Sequence, residues 1–492
     1  VQMLSAGNAL LRKNTYGNYP GALNIMRCVY EGIQLPIDQA LEVESRYFAH
    51  TLSTPEAKAM IRTLFMSMQD LNKGARRPDV AKDPIKKVGV LGAGFMGAGI
   101  AYVTAKAGID VVLLDRDQEA ADKGKFYSED LLDKAIKRKR STPEKKEALL
   151  SRIHATSDYD AFADCDLIVE AVFEDKGVKR TVTEATDAVT KDGTIFASNT
   201  STIPISELAE AAKSAENFIG IHFFSPVDKM MLVEIIMGDK TGDAALAKAI
   251  DYVLAIKKTP IVVNDTRGFY VNRCVMRYMQ EAWNMLIEGV PVPMIDNGAK
   301  MAGMPVGPLA LNDEVALDLS QKVMKQTVAD LGENAVDPAH VKLIETMVTD
   351  NNRIGKKGGA GFYEYPAKPA KKHLWPELAN LYPQKDADAV DVENVKDRYL
   401  YTIALEAARC VEEGVVTDIR EADVGAILGF GFAPFTGGPL TFIDQTGAAE
   451  FVKRAEELAA EYGDHFTPPQ IVKDMAAKGE TFYGGKAPAK AA

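Results

Sequence analysis

The sequence predicts a doubly wound α/β domain followed by two related all-α domains, with more helix in front. Three observations carry this prediction. Between residues 85 and 265, short Val- and Ile-rich runs alternate with helical stretches, as a parallel sheet covered on both faces requires. After residue 265 strand signals fade and helical periodicity dominates. Within that helical half, one segment recurs at a constant offset of 125 residues. A chain of 492 residues accommodates several such domains, and a hydrophobic content of 47% supplies their cores.

Residues 1–84 read as helices and a linker. Leu23, Met26, Val29 and Tyr30 recur at helical spacing, as do Leu41, Glu44, Tyr47 and Phe48 with one polar interruption. Thr54-Pro55 starts another helix, with Thr54 as its cap and Pro55 in the first position, and 57–71 is apolar on one side. The runs 88–91, 110–115, 166–172, 194–198, 218–222 and 260–264 are the expected strands of an 85–265 domain. Farther on, 273–290 aligns with 398–415 through Arg, Glu-Ala and Glu-Gly-Val, and a Gly-Pro-Leu follows each copy, at Gly307 and Gly438. Duplication explains this better than two Ala-rich helices agreeing by composition. It divides the helical half into domains 266–366 and 395–485, with 367–394 as a linker and 486–492 as a flexible tail.

Composition excludes several functions. There are 58 Lys and Arg against 69 Asp and Glu, a formal charge of −11, which argues against a non-specific grip on nucleic acid. A phosphorylated small molecule remains compatible, because a local site can be positive within an acidic protein. Cys28, Cys165, Cys274 and Cys410 lie far apart with no C-x-x-C pair, so reduced core thiols are expected rather than a metal or dithiol site. No apolar run reaches the roughly 18 residues a membrane span needs, and no secretory leader precedes the first helices, so a soluble intracellular chain is expected.

The segment 88–97 is a strand running into G-x-G-x-x-G: Gly92, Gly94 and Gly97, with Phe95 and Met96 between the last two. A helical stretch follows, and a second strand ends at Asp115, in the arrangement of a Rossmann-type dinucleotide site. Gly92 permits the tight turn, Gly94 lets backbone approach a pyrophosphate, and Gly97 lets helix pack on strand. Asp115 can accept from ribose hydroxyls and would repel a 2′-phosphate, which favours NAD over NADP, although Arg116 next to it could pair with that phosphate.

His222 ends an apolar run, and carboxyl ends of strands are where ligands bind in such sheets. Glu234 lies inside another apolar run, where a carboxylate needs a partner. The two form a candidate base pair, in which the carboxylate orients the imidazole and stabilises its protonated form. On spacing alone, a structural His beside an unrelated Glu is an equal reading. The hydroxyl-rich 198–202 could position a substrate alcohol, or could satisfy a turn and cap the helix starting near Pro204.

With these residues assembled, the chain resembles the L-3-hydroxyacyl-CoA dehydrogenase family. In particular, it is similar to the dehydrogenase portion of multifunctional β-oxidation enzymes that fuse an enoyl-CoA hydratase to this activity. The motifs are GVLGAGFMGAGIA at the glycine loop, IVEAVFED at 168–175, SNTST at 198–202, GIHFFSPVDKMMLVEII at 220–236, NDTRGFYVNR at 264–273 and GKKGGAGFYEY at 355–365. The likeness runs from residue 85 to about 485. It implies that His222 is the general base, Glu234 its partner, Ser201 a hydrogen-bond partner of the substrate 3-oxygen, and Asn272 an active-site asparagine. It implies NAD as cofactor, with Glu174, Lys179 and Asn199 at the nicotinamide end, and Gly92, Gly94, Phe95, Met96, Gly97 and Asp115 at the other. Thr202 stands where many members have Ser. The resemblance also implies an acyl-CoA substrate, a thiolase subunit in the full complex, and a location in the bacterial cytoplasm or, in a eukaryote, the mitochondrial matrix. It implies that residues 1–84 are the closing helices and linker of a crotonase-fold hydratase domain. Most of that domain is absent, so the chain begins as a fragment would and is not expected to hydrate enoyl-CoA. A free β-hydroxyacid or sugar-acid dehydrogenase and a non-catalytic scaffold for a thiolase stay open as alternatives.

Overall fold

Val88, Val90, Leu113, Leu167 and Ala197 have no exposed surface, because the apolar runs that hold them are strands covered on both sides. The computed structural model describes residues 2–484; the tail expected at 486–492 lies outside them. One unit comprises residues 63–272 and 410–429. Its eight strands are β1 (Lys87–Leu91), β2 (Asp110–Leu114), β3 (Ile153–Thr156), β4 (Leu167–Glu170), β5 (Ile195–Ser198), β6 (Phe218–Phe223), β7 (Leu232–Met237) and β8 (Thr259–Asn264). They form one sheet in the order β3-β2-β1-β4-β5-β6-β7-β8.

The sheet is parallel from β3 through β6, so the doubly wound class holds. It differs from the expected sheet in two strands. The edge strand β3 buries only its two ends, Ile153 and Thr156, so no apolar run announces it. Strand β7 runs antiparallel to β6, and β8 then runs parallel to β7. The segment 224–231 joining β6 to β7 is shorter than the dozen or more residues a parallel crossover requires. The strand order reverses at β1, whose neighbours are β2 and β4. The crevice beyond the carboxyl ends of β1 and β4 is therefore the ligand position of this architecture.

The second unit comprises residues 1–62, 273–409 and 430–492. Its first helices are Gln2–Thr15, Pro20–Gly32, Ile37–Ser53 and Pro55–Met60. The Thr54 hydroxyl caps the last of them, accepting from the Ala57 amide at 3.2 Å, as the sequence predicts. These helices leave Ile25, Ile33, Ile37 and Phe48 between 66% and 78% exposed.

The repeat is visible in the helices. Gly307 and Gly438 each act as the N-cap of an eight-residue helix whose first residue is proline, Pro308–Val315 and Pro439–Thr446. Each is followed by a fifteen-residue helix, Leu317–Leu331 or Ala448–Tyr462. Asp313 accepts from the amides of Phe362 and Tyr363, both at 2.8 Å. Asp444 does the same with Phe482 and Tyr483, at 2.8 and 3.2 Å. The copies also exchange ion pairs. Arg273 aligns with Arg398 and Glu281 with Glu406, and each arginine reaches the other copy's glutamate. Arg398 Nε donates to Glu281 at 2.5 Å and Arg273 Nε to Glu406 at 2.8 Å.

Burial pushes the Asp313 carboxyl up to about 6, against hydrogen bonds from the Tyr363 and Phe362 amides and the Tyr365 hydroxyl. Between about pH 4 and about pH 6 the folded chain holds a proton here that the unfolded chain has released, so this group's contribution to stability falls as pH rises through that window. Asp313→Asn, which cannot ionise, should therefore gain in Tm relative to the parent as pH is raised across it. A Tm difference independent of pH would exclude the assignment.

Candidate active site

The glycine loop leaves β1 at Leu91. Gly92 has a φ of +95°, a left-handed conformation that a side chain disfavours, and a Cβ there would lie 2.7 Å from the Ala171 carbonyl oxygen. A Cβ on Gly97 would lie 1.8 Å from the Gly92 carbonyl oxygen, so helix and loop approach only because that carbon is missing. Gly94 differs: no atom lies within 4 Å of its Cβ position, and its backbone is extended rather than left-handed. Its side-chain position is therefore open space, as a phosphate cradle requires. Gly94 is also the N-cap of the helix Phe95–Lys106 and makes no side-chain cap, so the first helical amides are left for an anion. Asp115 follows β2, and its Oδ2 accepts from the Ala93 amide at 2.6 Å, tying the loop to the residue that would read the ribose. Arg116 is 86% exposed and donates to Asp117 at 3.1 Å.

The β6–β7 hairpin brings His222 and Glu234 together. They are register partners, so their side chains leave the same face of the sheet. His222 Nδ1 lies 2.9 Å from Glu234 Oε2. Glu234 has no exposed surface, and its Oε1 accepts from the amides of Tyr270 and Val271 at 2.9 and 3.1 Å, where the helix Val271–Ile287 begins. Unpaired amides at a helix N-terminus suit a carboxylate. A carboxylate only accepts, so Nδ1 carries the hydrogen and Nε2 is left with its lone pair. Phe224 and Phe269 flank the imidazole, with ring centroids at 4.4 and 6.0 Å.

The loop after β5 is organised around Glu174. Its Oε1 accepts from the Thr200 hydroxyl at 2.7 Å and from the amides of Ser201 and Thr202 at 2.9 and 3.1 Å. The hydroxyls of Ser201 and Thr202 lie at 3.3 Å. Burial pushes the Glu174 carboxyl up, but the Lys179 ammonium and these donors outweigh it and hold it below the ordinary carboxylate range. The helix near Pro204 is capped by neither Ser201 nor Thr202: Asp265 accepts from the amides of Ile205 and Ser206 at 2.9 and 2.7 Å. Asn199 Oδ1 accepts from the Phe223 amide at 2.8 Å, next to His222. Asn272 Nδ2 donates to the Ser201 carbonyl oxygen at 2.8 Å, so Asn272 grips the backbone of Ser201. Lys179 is 2% exposed and contacts Glu174 at 3.2 Å and Glu170 at 2.8 Å.

The expected site residues thus fall at the carboxyl edge of the parallel strands or on the hairpin beside it, except Lys179 and Asn272, which lie on the helices Lys176–Asp187 and Val271–Ile287. Glu170 was not expected. Its signal is the one that marked Glu234, a carboxylate inside an apolar run. Among the described residues, no group of three or more His, Cys, Asp or Glu could hold a metal ion, and no helix is long and apolar enough to cross a membrane.

Comparison with known proteins identifies the family. The profile of the 3-hydroxyacyl-CoA dehydrogenase NAD binding domain matches residues 87–266, and that of the 3-hydroxyacyl-CoA dehydrogenase C-terminal domain matches 268–365. The fatty acid oxidation complex subunit alpha of Shewanella amazonensis is 39% identical over 96% of this chain and 66% of its own length, so this chain spans about two thirds of that relative. Among solved structures, (S)-3-hydroxybutyryl-CoA dehydrogenase from Ralstonia eutropha is 37% identical with a TM-score of 0.54, covering 58% of this chain and 100% of its own. 3-Hydroxybutyryl-CoA dehydrogenase from Escherichia coli is 25% identical with a TM-score of 0.69, covering 80% of this chain and 99% of its own. A glycine loop shaped for a dinucleotide, an oriented histidine and these matches lead to one conclusion: the chain belongs to the 3-hydroxyacyl-CoA dehydrogenase family of NAD-dependent oxidoreductases.

Proposed function

We propose that this chain oxidises L-3-hydroxyacyl-CoA to 3-ketoacyl-CoA in fatty-acid β-oxidation. The observation that carries the reading is His222, held by Glu234 with Nε2 free to accept a proton, at the same sheet edge as the glycine loop. His222 Nε2 removes the proton of the 3-hydroxyl, and the imidazolium that forms is stabilised by Glu234 at 2.9 Å. The Ser201 hydroxyl hydrogen-bonds the 3-oxygen while Asn272 keeps the Ser201 backbone in place. NAD, when bound, supplies the acceptor for the hydride that leaves C3. Gly92, Gly94 and Gly97, with Phe95 and Met96, would hold its pyrophosphate and Asp115 its adenosine ribose. Glu174, Lys179 and Asn199 would order the nicotinamide end.

The test is turnover of the isolated chain: NADH oxidation with acetoacetyl-CoA should be readily measured and free acetoacetate should not substitute. Activity on the free acid alone would replace this reading with a β-hydroxyacid dehydrogenase, and no turnover with either would leave a scaffold. Asp115→Ala removes a charged acceptor, and such bonds contribute about 1.5–3 kcal/mol, so NADH affinity should fall by roughly ten- to a hundredfold while NADPH affinity falls less. Equal losses for both cofactors would show that Asp115 does not discriminate.

In the same reading, residues 1–84 are the closing helices and linker of a hydratase domain. Their exposed Ile25, Ile33, Ile37 and Phe48 offer apolar surface of the kind another domain covers. The chain then lacks enoyl-CoA hydratase activity, works in the bacterial cytoplasm, and meets a thiolase subunit in the full complex. Consumption of crotonyl-CoA in the absence of NAD would overturn the first of these, and failure of the protein to co-purify with a thiolase would overturn the last.

A further inference from the structure

Glu170 closes β4 with 1% of its surface exposed, and Lys179, in the helix Lys176–Asp187, is 2% exposed. Two ions removed from water at the base of an active site are costly, and a pair of apolar residues would pack there more cheaply. Their contacts show what the pair does. Glu170 accepts from Lys179 Nζ with both oxygens, at 2.8 and 3.0 Å. Its Oε1 also accepts from the Val172 amide at 2.8 Å, and its Oε2 from the Ser198 hydroxyl at 2.6 Å. Lys179 in turn reaches Glu174 Oε2 at 3.2 Å, which leaves Oε1 to gather Thr200, Ser201 and Thr202. The Glu170 carbonyl oxygen accepts from the Asn199 amide at 2.7 Å, and Asn199 binds the Phe223 amide beside His222.

We propose that Glu170 is a positioning residue for the reacting centre: through Lys179 and Glu174 its carboxylate fixes the loop that carries Ser201. The charges alternate along a short path, carboxylate, ammonium, carboxylate. The central ammonium is shared, so Glu174 is held without being pulled off the loop. Without Glu170, Lys179 has one carboxylate left and draws Glu174 toward itself, and the amides of 200–202 lose their common acceptor. Glu170 touches neither substrate nor cofactor in this role. Its effect on turnover rests on the dehydrogenase reading; its effect on loop order does not.

The experiment compares the parent chain, Glu170→Gln, and the charge-balanced double variant Glu170→Gln with Lys179→Met. It reads Tm, amide hydrogen exchange over 199–203, NADH affinity by fluorescence, and kcat and KM with acetoacetyl-CoA. Glu170→Gln should speed exchange over 199–203 and leave exchange over the helix Phe95–Lys106 unchanged. It should lower kcat by about 10²-fold, the cost of misplacing a reacting group by about 1 Å, with KM nearly unchanged and NADH affinity falling far less than kcat, because only the nicotinamide end of the cofactor is ordered through Glu174. The double variant removes both buried ions, so its Tm should return toward the parent's, but it also removes the ammonium that anchors Glu174 Oε2, so kcat stays low and loop exchange stays fast. It carries the test if the single variant does not fold. Recovery of kcat together with Tm would make the pair merely structural and overturn the proposal. So would unchanged exchange over 199–203, or a loss confined to NADH affinity. If the parent itself has no turnover, the dehydrogenase reading fails, and the exchange measurement alone still decides the role of Glu170.

Discussion

Replacing His222 with Gln should lower kcat for 3-hydroxyacyl-CoA oxidation by about 10²- to 10⁴-fold, the usual worth of a positioned general base, while NADH affinity stays within error of the parent. The separation is expected because His222 sits on β6, whereas the glycine loop leaves β1. Glutamine can keep a hydrogen bond to Glu234 but cannot take up the substrate proton. Glu234→Gln is the informative companion. A carboxamide at 234 can still accept from the Tyr270 and Val271 amides, so the fold should persist, yet it no longer balances an imidazolium 2.9 Å away. Its kcat should fall nearly as far as that of His222→Gln, and the double variant should be little worse than either, since the two act as a unit. Normal turnover in His222→Gln, measured under saturating NADH and acetoacetyl-CoA, would remove His222 from the mechanism. Additive losses in the double variant would show instead that the two residues work separately.

Gly97→Ala should abolish measurable NADH binding and lower Tm, whereas Gly94→Ala should impair binding at unchanged Tm. The two glycines do different things. At Gly97 the added carbon would sit 1.8 Å from the Gly92 carbonyl oxygen, so the helix must move off the loop, an overpacking strain of about 1–3 kcal/mol. That movement carries away the amides at the start of Phe95–Lys106 that await the phosphates. At Gly94 an added methyl meets no protein atom within 4 Å and needs no unusual backbone angle. The only thing it can obstruct is a ligand. Calorimetric titration with NADH beside thermal melts distinguishes the cases. A Gly94→Ala variant with full affinity would mean that the pyrophosphate lies elsewhere, and a Gly97→Ala variant with full affinity would mean that the loop yields without cost.

The features readable from sequence are those set by neighbours along the chain. The glycine loop and Asp115 are readable because a turn, a helix start and the end of the next strand are all local, and each glycine has a steric reason tied to its place in the motif. The expected strands β1, β2, β4, β5, β6 and β8 are readable because burial on both faces demands continuous apolar runs. The edge strand β3 escapes this logic, since it buries only Ile153 and Thr156. His222 and Glu234 were both candidates, but their pairing is a matter of register across an antiparallel hairpin, which no spacing rule contains. The hydroxyls of 198–202 were divided between a substrate role and a helix cap. The fold gives the cap to Asp265, turns the hydroxyls of Thr200, Ser201 and Thr202 onto Glu174 and sends that of Ser198 to Glu170. Glu170 stayed hidden because its meaning depends on Lys179 arriving from the next helix with no water around it.

By itself the sequence determined the doubly wound class, the dinucleotide loop and the duplicated helical half, because chain-local sterics and burial patterns carry that information. Only the tertiary structure decided which charges meet. It set the reversed β7 that brings Glu234 under His222, the buried lysine between two carboxylates, and the exchange of Arg273 and Arg398 between the repeats. The reason is physical. Hydrophobic burial is non-directional and leaves its mark residue by residue, while a buried ion pair exists only at a separation of a few ångströms. That separation is set by packing among segments far apart in the chain.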